Sequence, residues 1–409
     1  MANSPGSARA TAFLDHAATT PVRPAARAAM LAQLDQTGNA SSLHTSGRRA
    51  RRVVEESRET IAGHLNVRPS DVIFTSGGTE SDNLALKGLY WSARAADPTR
   101  RVVLVSAIEH HAVLDPAQWL VHHEQAELVL IPVDRTGVVD LEAFEQLLAR
   151  HRDSLALVSV MWANNETGAI QPLAHIARLC AEARVPLHTD AVQAIGWLST
   201  SDGWQIPPAA VSISGHKFGA PIGVGALVVS GPRLEPLLHG GGQEVDVRSG
   251  TLATASIAAL AAAYEQSCVV RDEASRHISA LRKRLVADIQ AAVPGVTVNP
   301  TASEVLPGIA NVSFPDCEAD ALLMLLDAAG VECSAGSACT AGVPRPSHVL
   351  LAMGVSEPVA RGSLRLSLGW NSTDADVDAA VAALPDAVAR AQNAVGKSRA
   401  RAAARAVAR

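Results

Sequence analysis

The chain has 409 residues, 48% of them hydrophobic but only 3% aromatic, so a large core must be packed mainly by Ala, Leu and Val. A formal charge of -5 and an isoelectric point near 6.3 exclude bulk electrostatic attraction to nucleic acid or anionic lipid. The five cysteines are an odd number in a long chain, which excludes a disulfide framework as the basis of the fold.

The N-terminus lacks the basic-then-apolar order of a signal peptide, and no apolar run reaches membrane-spanning length. A cytoplasmic location is therefore expected. Short β-rich runs are predicted over 71–75, 101–106, 127–132, 156–161, 186–189, 210–214 and 225–229, with amphipathic helices between many of them, as at 81–91, 141–150 and 173–183. Several strands are apolar almost throughout, as expected of a parallel sheet covered by helices on both faces. The reading is an open α/β sheet with its ligands beyond the carboxyl ends of the strands. From about residue 256 a long helical stretch leads to a second, smaller α/β unit, with elements at 308–314, 319–329 and 363–367. The expected division is a large domain over 15–262, a small one from 1–14 with 263–393, and an Ala/Arg-rich tail over 394–409, read as a frayed helix or disordered.

The chemistry-bearing residues fall at strand ends. After the first long strand, Thr75-Ser-Gly-Gly-Thr-Glu-Ser-Asp-Asn83 offers a glycine turn before a helix, which makes an anion site from exposed amides and the helix dipole; Thr79 can donate as well. No Gly-Lys-Ser/Thr follows, so this is not a Walker loop. At the next strand end, Ile108-Glu-His-His-Ala-Val113 places the His110 ring to stack on a planar cofactor. No metal site is expected, since no Cys-x2-Cys pair occurs and the adjacent histidines 110–111 and 122–123 aim their rings apart.

Further on, Trp162-Ala-Asn-Asn-Glu-Thr-Gly168 supplies Asn165, and His188-Thr-Asp-Ala-Val-Gln193 supplies Asp190 and Gln193. Ser212-Ile-Ser-Gly-His-Lys-Phe218 then ends a strand on Lys217, preceded by Ser214 and His216. Lysine is seldom buried without a task, and a desolvated amine can form a Schiff base. A carboxylate such as Asp190 would hold the pyridine nitrogen of pyridoxal phosphate (PLP) protonated, and Gln193 or Asn165 could reach the ring oxygen. Cys339 lies in a run of small residues, Ser334-Ala-Gly-Ser-Ala-Cys-Thr-Ala-Gly342, which reads as a mobile loop with an exposed, nucleophilic thiol. Cys180, Cys268 and Cys317 read as small buried residues.

These motifs, with Phe13-Leu-Asp-His-Ala-Ala-Thr-Thr20, Gly38-Asn-Ala-Ser-Ser42, Val247-Arg-Ser-Gly-Thr251 and Ser363-Leu-Arg-Leu-Ser-Leu-Gly369, resemble the NifS/IscS-like cysteine desulfurases of the class V aminotransferase group, over nearly the whole chain. The resemblance implies a fold-type I PLP-dependent transferase, with a large, mostly parallel sheet domain and a smaller α/β domain. It makes Lys217 the cofactor-binding lysine, Cys339 the persulfide carrier and His110 the stacking and proton-transfer residue. Asp190 would pair the pyridine nitrogen, and Gly78, Thr79, Ser214 and His216 the phosphate. Thr251 would be lent to that phosphate by a neighbouring subunit, implying a homodimer. Asn39 and Arg365 resemble the groups that hold the substrate carboxylate.

The implied reaction takes sulfur from L-cysteine onto Cys339, releases alanine, and passes the sulfur to an acceptor protein, a scaffold for iron–sulfur clusters or a tRNA- or cofactor-thiolation enzyme. No direct nucleic-acid or membrane partner is expected. The alternatives are a selenocysteine lyase or cysteine sulfinate desulfinase of the same fold, an ordinary class V aminotransferase (which has no use for the Cys339 loop), or a non-catalytic sulfur-relay protein. The sequence departs from the family at Gly219-Ala-Pro-Ile-Gly223, at Glu244-Val245-Asp246, and in having His16 where Asn is commoner.

Overall fold

The computed structural model describes residues 11–200, 205–299, 304–336 and 346–407, with side chains as far as residue 396. A short strand β1 (Ala12–Phe13) precedes a seven-stranded sheet made of β2 (Val72–Thr75), β3 (Val102–Ser106), β4 (Glu127–Ile131), β5 (Leu155–Ser159), β6 (Leu187–Asp190), β7 (Ala210–Ser214) and β8 (Gly225–Val229). Their order across the sheet is β2-β8-β7-β6-β5-β3-β4. All neighbours are parallel except β8, which runs antiparallel to both β2 and β7. Because β8 alone is reversed, β2 and β7 point the same way, and the turns that follow them emerge on one edge with those of β3, β5 and β6.

The sequence explains why this sheet lies inside. Strands β2, β3, β5, β6 and β7 are buried at every position; β2, β3 and β5 match their near-continuous apolar runs, whereas β6 also buries His188, Thr189 and Asp190. The edge strand β4 is largely exposed or half-buried, and β8 ends on the half-buried Val229. Helix Leu141–His151 starts where Asp140 accepts the Ala143 amide at 3.0 Å. Helix Leu173–Ala183 ends on Arg184 in the left-handed region. The sequence-based strands and these helices agree with the structure to within two residues or so, the usual fraying of element ends. Helices Pro24–Leu34, Thr45–Leu65 and His111–Glu124 are additional to those read from the sequence.

Helix Thr254–Ala292 serves two cores along its length. Ile257, Leu260 and Tyr264 pack with the sheet's apolar residues, whereas Ile278, Leu281, Leu285 and Ile289 belong to a second cluster. That second cluster includes Ala12 and Leu14 from the N-terminal segment, together with Phe314, Leu364, Leu366 and Leu384. Its framework is an antiparallel sheet with β10 (Ile309–Ser313) between β9 (Thr297–Asn299) and β12 (Ser363–Ser367). β1 pairs separately, in parallel, with β11 (Val331–Glu332). The backbone of the last helix runs from Asp374 to Val407. Among the described residues, no helix is long and apolar enough to cross a membrane.

Candidate active site

A cavity of about 800 Å³ opens where the carboxyl ends of β2, β3, β6 and β7 meet the second core, a size suited to a small-molecule cofactor with its substrate. Gly78, Thr79, His110, Asn165, Asp190, Gln193, Ser214, His216, Lys217 and Arg365, drawn from separate strand ends, all line it. Ser334, Ala335, Gly336 and Pro346, which flank the segment containing Cys339, line it too. Cys339 itself lies outside the described residues.

Lys217 closes a short 3-10 turn after β7. Its Nζ donates to the carbonyls of Ala17 and Ala18 at 2.7 and 2.9 Å. Burial pushes the amine down to about 8, and Arg365 nearby adds to the shift. The fraction of neutral amine near physiological pH is thereby raised, which is what a nucleophilic or proton-accepting lysine requires.

Asp190 ends β6 and is 5% exposed. One of its carboxylate oxygens accepts the Val192 amide at 2.9 Å. Burial, reinforced by the neighbouring Asp82, pushes its carboxyl up to about 7. A cation set against it would reverse that shift. His110 caps helix His111–Glu124 by accepting the Ala112 amide on Nδ1 at 3.1 Å. Desolvation and then the Lys217 charge push the imidazole down to about 4, although one face is open to the cavity. A neutral ring that accepts at Nδ1 carries its proton on Nε2.

The residues fit PLP. Helix Gly78–Ala96 begins at Gly77, which has no side chain to cap the free amides. Close approach is built in, since a Cβ on Gly78 would lie 2.8 Å from Val192 Cγ2, and Gly77 has φ +152°. Ser214 faces these glycines, within 3.5 Å of where either Cβ would sit. His216 Nδ1 is buried without a hydrogen-bond partner. This donor set suits a phosphate, Asp190 a protonated ring nitrogen, and Lys217 a carbonyl carbon. Arg365 donates to Asp15 at 2.9 Å and to the Asn165 carbonyl at 3.2 Å, while its Nε stays buried and unpartnered. A substrate carboxylate is a suitable acceptor for it.

Asn39 and Thr251 are exposed and do not line this cavity within one chain. Gln193 donates its amide to the Ala17 carbonyl at 2.8 Å, sharing that acceptor with Lys217. Of the family departures, Gly219 has φ +96° and is packed on Arg23, where a Cβ would come within 2.5 Å of Cγ. Ile222 is 77% exposed at the cavity rim.

The sequence reading missed a set of buried acids at the cavity wall, of which Asp82 and Glu166 line it. Asp82, Glu109 and Glu166 are all 4% exposed or less. Burial is the main cause that raises each of their pKa values, Asp82 and Glu166 to about 7. The only signal in the sequence was their place inside the strand-end motifs, where an acid beside a glycine turn or a histidine reads as solvent-facing.

The class-V aminotransferase family model matches residues 12–380. A protein of Mycobacterium tuberculosis described as an IscS-like cysteine desulfurase is 54% identical over 94% of this chain and 98% of its own length. The cysteine desulfurase NifS of Azotobacter vinelandii is 39% identical over 94% of both chains. A solved structure of a NifS-like protein superposes with a TM-score of 0.84 at 33% identity, covering 93% of this chain and 99% of that one.

Proposed function

This chain belongs to the class-V aminotransferase family and is a PLP-dependent cysteine desulfurase; on that premise we propose that Lys217 binds the cofactor and Cys339 accepts the substrate's sulfur. The observation that carries the assignment of residues is their convergence. Lys217, Asp190, His110, the Gly78–Thr79 turn and Arg365 share one cavity with both flanks of the Cys339 segment. In the net reaction the C–S bond of L-cysteine breaks and an S–S bond forms on Cys339. The carbon skeleton keeps the electron pair, takes up a proton and leaves as L-alanine.

When bound, PLP supplies an electron sink for charge developing at the substrate α-carbon. The protein's part is positional and acid–base. Arg365, which lines the cavity, holds the substrate carboxylate. Lys217 Nζ, titrating near 8, takes the α-proton and can return it. Asp190 keeps negative charge against the ring nitrogen, and His110 stacks on the ring and offers a proton on Nε2. Gln193 and Asn165 are the groups within reach of the ring oxygen.

A homodimer is part of this reading: Thr251 is exposed and outside its own chain's cavity, as fits a residue lent to a neighbour's phosphate site. Light scattering at working concentration checks it, a monomer counting against it. The acceptor of the sulfur is a protein, a scaffold or a thiolation enzyme. A cytoplasmic location suits the free thiols at Cys180, Cys268, Cys317 and Cys333. The test of the whole reading is Cys339→Ala in the holoenzyme. The variant is expected to keep the cofactor's visible absorbance but to release no sulfide from cysteine, and unchanged release would sink the assignment.

A further inference from the structure

Both ends of the segment that contains Cys339 meet one buried carboxyl group. Glu166 is 4% exposed. Its Oε2 accepts the Ser347 hydroxyl at 2.5 Å, just after the segment. Ser347 in turn accepts the Leu350 amide at 3.2 Å and so caps helix His348–Ala352. Just before the segment, a Cβ on Gly336 would lie 2.3 Å from the same Oε2. Any larger residue there would have to push the Glu166 carboxyl aside. Two residues upstream, Ser334 exchanges backbone hydrogen bonds of 2.7 and 3.2 Å with Arg365, the residue assigned to the substrate carboxylate.

The backbone of Glu166 is held on both sides. Its amide donates to Asn164 Oδ1 at 2.9 Å, and Asn164 Nδ2 donates to the Ile108 carbonyl at 2.9 Å. Asn311 Nδ2 reaches the Glu166 carbonyl at 3.4 Å. Burial pushes the carboxyl up to about 7, opposed by the Ser347 hydrogen bond and the charge of Arg365. A buried carboxyl with so few partners is a poor way to stabilise a fold. Its place between Gly336, Ser347 and the site arginine is better explained by geometry needed for the reaction.

We propose that Glu166 is a positioning residue for the sulfur-transfer step, acting through Gly336 and Ser347 to fix where residues 337–345, and Cys339 with them, leave and rejoin the cavity wall. The inference rests on Cys339 being the sulfur-accepting thiol. Misplacing a reacting atom by about 1 Å costs on the order of a hundredfold, so the transfer should be sensitive to this anchor while cofactor binding is not.

The test compares holoenzyme variants Glu166→Ala, Glu166→Gln and Ser347→Ala. Cofactor absorbance and its change on mixing with L-cysteine report substrate binding, and mass spectrometry of the alkylated chain reports persulfide on Cys339. Glu166→Ala and Ser347→Ala are expected to keep both absorbance signals. They should slow persulfide formation by about tenfold to a hundredfold in kcat, with KM little changed. Glu166→Gln retains an acceptor for Ser347 and should recover most of the rate. A wild-type persulfide rate in Ser347→Ala overturns the proposal, and so does a cysteine-induced absorbance change lost in parallel with the rate. Failure of the functional reading is separate: it shows as sulfide release that survives Cys339→Ala.

Discussion

Lys217 Nζ donates to the Ala17 carbonyl at 2.7 Å, across 200 residues of sequence. The segment just after β1 thus supplies the acceptors for the amine, Ala18 adding a second at 2.9 Å, and Ala17 also receives Gln193. Backbone carbonyls satisfy the amine without a carboxylate's full charge, so burial rather than pairing dominates its proton affinity.

On the proposed reading, Lys217→Ala removes the amine that binds the cofactor covalently. Borohydride reduction of the PLP-loaded variant is expected to leave the chain mass unchanged, and turnover should fall by about a thousandfold or more. A cofactor still fixed at wild-type yield would refute the assignment. In the wild-type apoprotein, the neutral amine is the nucleophile. Covalent loading should therefore quicken as pH rises through about 8 and level off above it.

Asp190 sits at the end of β6 with burial and Asp82 both raising its carboxyl to about 7. A protonated ring nitrogen is the cation that restores its charge, so Asp190→Asn should still bind PLP through Lys217 and the phosphate cradle. Alanine formation should drop by about two to four orders of magnitude, because the ring no longer holds its proton. The variant's cofactor absorbance should also differ from wild type when cysteine is added. Alanine formation at the wild-type rate would remove Asp190 from this role.

Much of this site was legible because its parts follow strands whose composition is unmistakable. Lys217, Asp190 and the Gly77–Gly78 turn each fall at or just after the end of a buried strand, and an open sheet gathers such ends on one edge. Glu166 and Asp82 lie in the same motifs but act sideways, toward partners such as Ser347 and His188 that are distant in sequence. No local pattern marks a residue whose partner is set by the fold. Helix Thr45–Leu65 escaped for a related reason: its first half is crowded with arginines, and Ala50, Val54, Ile61, Ala62 and Leu65 are its apolar residues buried with the core. Thr251 and Asn39 are exposed and do not line their own chain's cavity, so a single chain places no partner for the roles proposed for them there.

The departure at 244–246 has a physical cost that can be measured. Arg58 donates to both carboxylate oxygens of Glu244, at 2.9 and 2.7 Å, and Glu244 also accepts the Phe74 amide at 2.7 Å. Glu244, Val245 and Asp246 all have positive φ, from 49° to 61°. The β-branched Val245 is 74% exposed, so nothing it packs against offsets that conformation. Val245→Gly should stabilise the protein by about 0.5–1 kcal/mol, the relief of left-handed strain less glycine's unfolded-state entropy. Glu244→Ala leaves Arg58 with Glu55 and the Val72 carbonyl but takes away its two-pronged acceptor and that of the Phe74 amide, and should cost about 2–3 kcal/mol. Urea denaturation of the two variants checks both signs.

Burial favours the neutral forms of both Asp82 and His188, and pH dependence tests whether they meet as a neutral pair. His188 Nε2 is 3.4 Å from Asp82 Oδ1, close enough for an ion pair. The ring, however, already lies between Ser159 on Nδ1 at 2.9 Å and Ser212 on Nε2 at 3.0 Å, and Asp82 Oδ1 has no hydrogen-bond partner. Burial pushes Asp82 up to about 7 and His188 down to about 4, so neither carries its charge readily. Between pH 4 and 7 the folded chain keeps the Asp82 proton that the unfolded chain has lost. This group therefore costs stability as pH rises through that range. His188 has the opposite sign, since the unfolded chain binds its proton up to about 6.5. Asp82→Asn removes only the first effect. Relative to wild type, the apoprotein variant should gain stability between pH 5 and pH 8, read as a larger difference in urea midpoint at the higher pH. A charged pair would give the reverse, with the substitution most harmful where both groups are ionised, and that result would rule out the neutral pair.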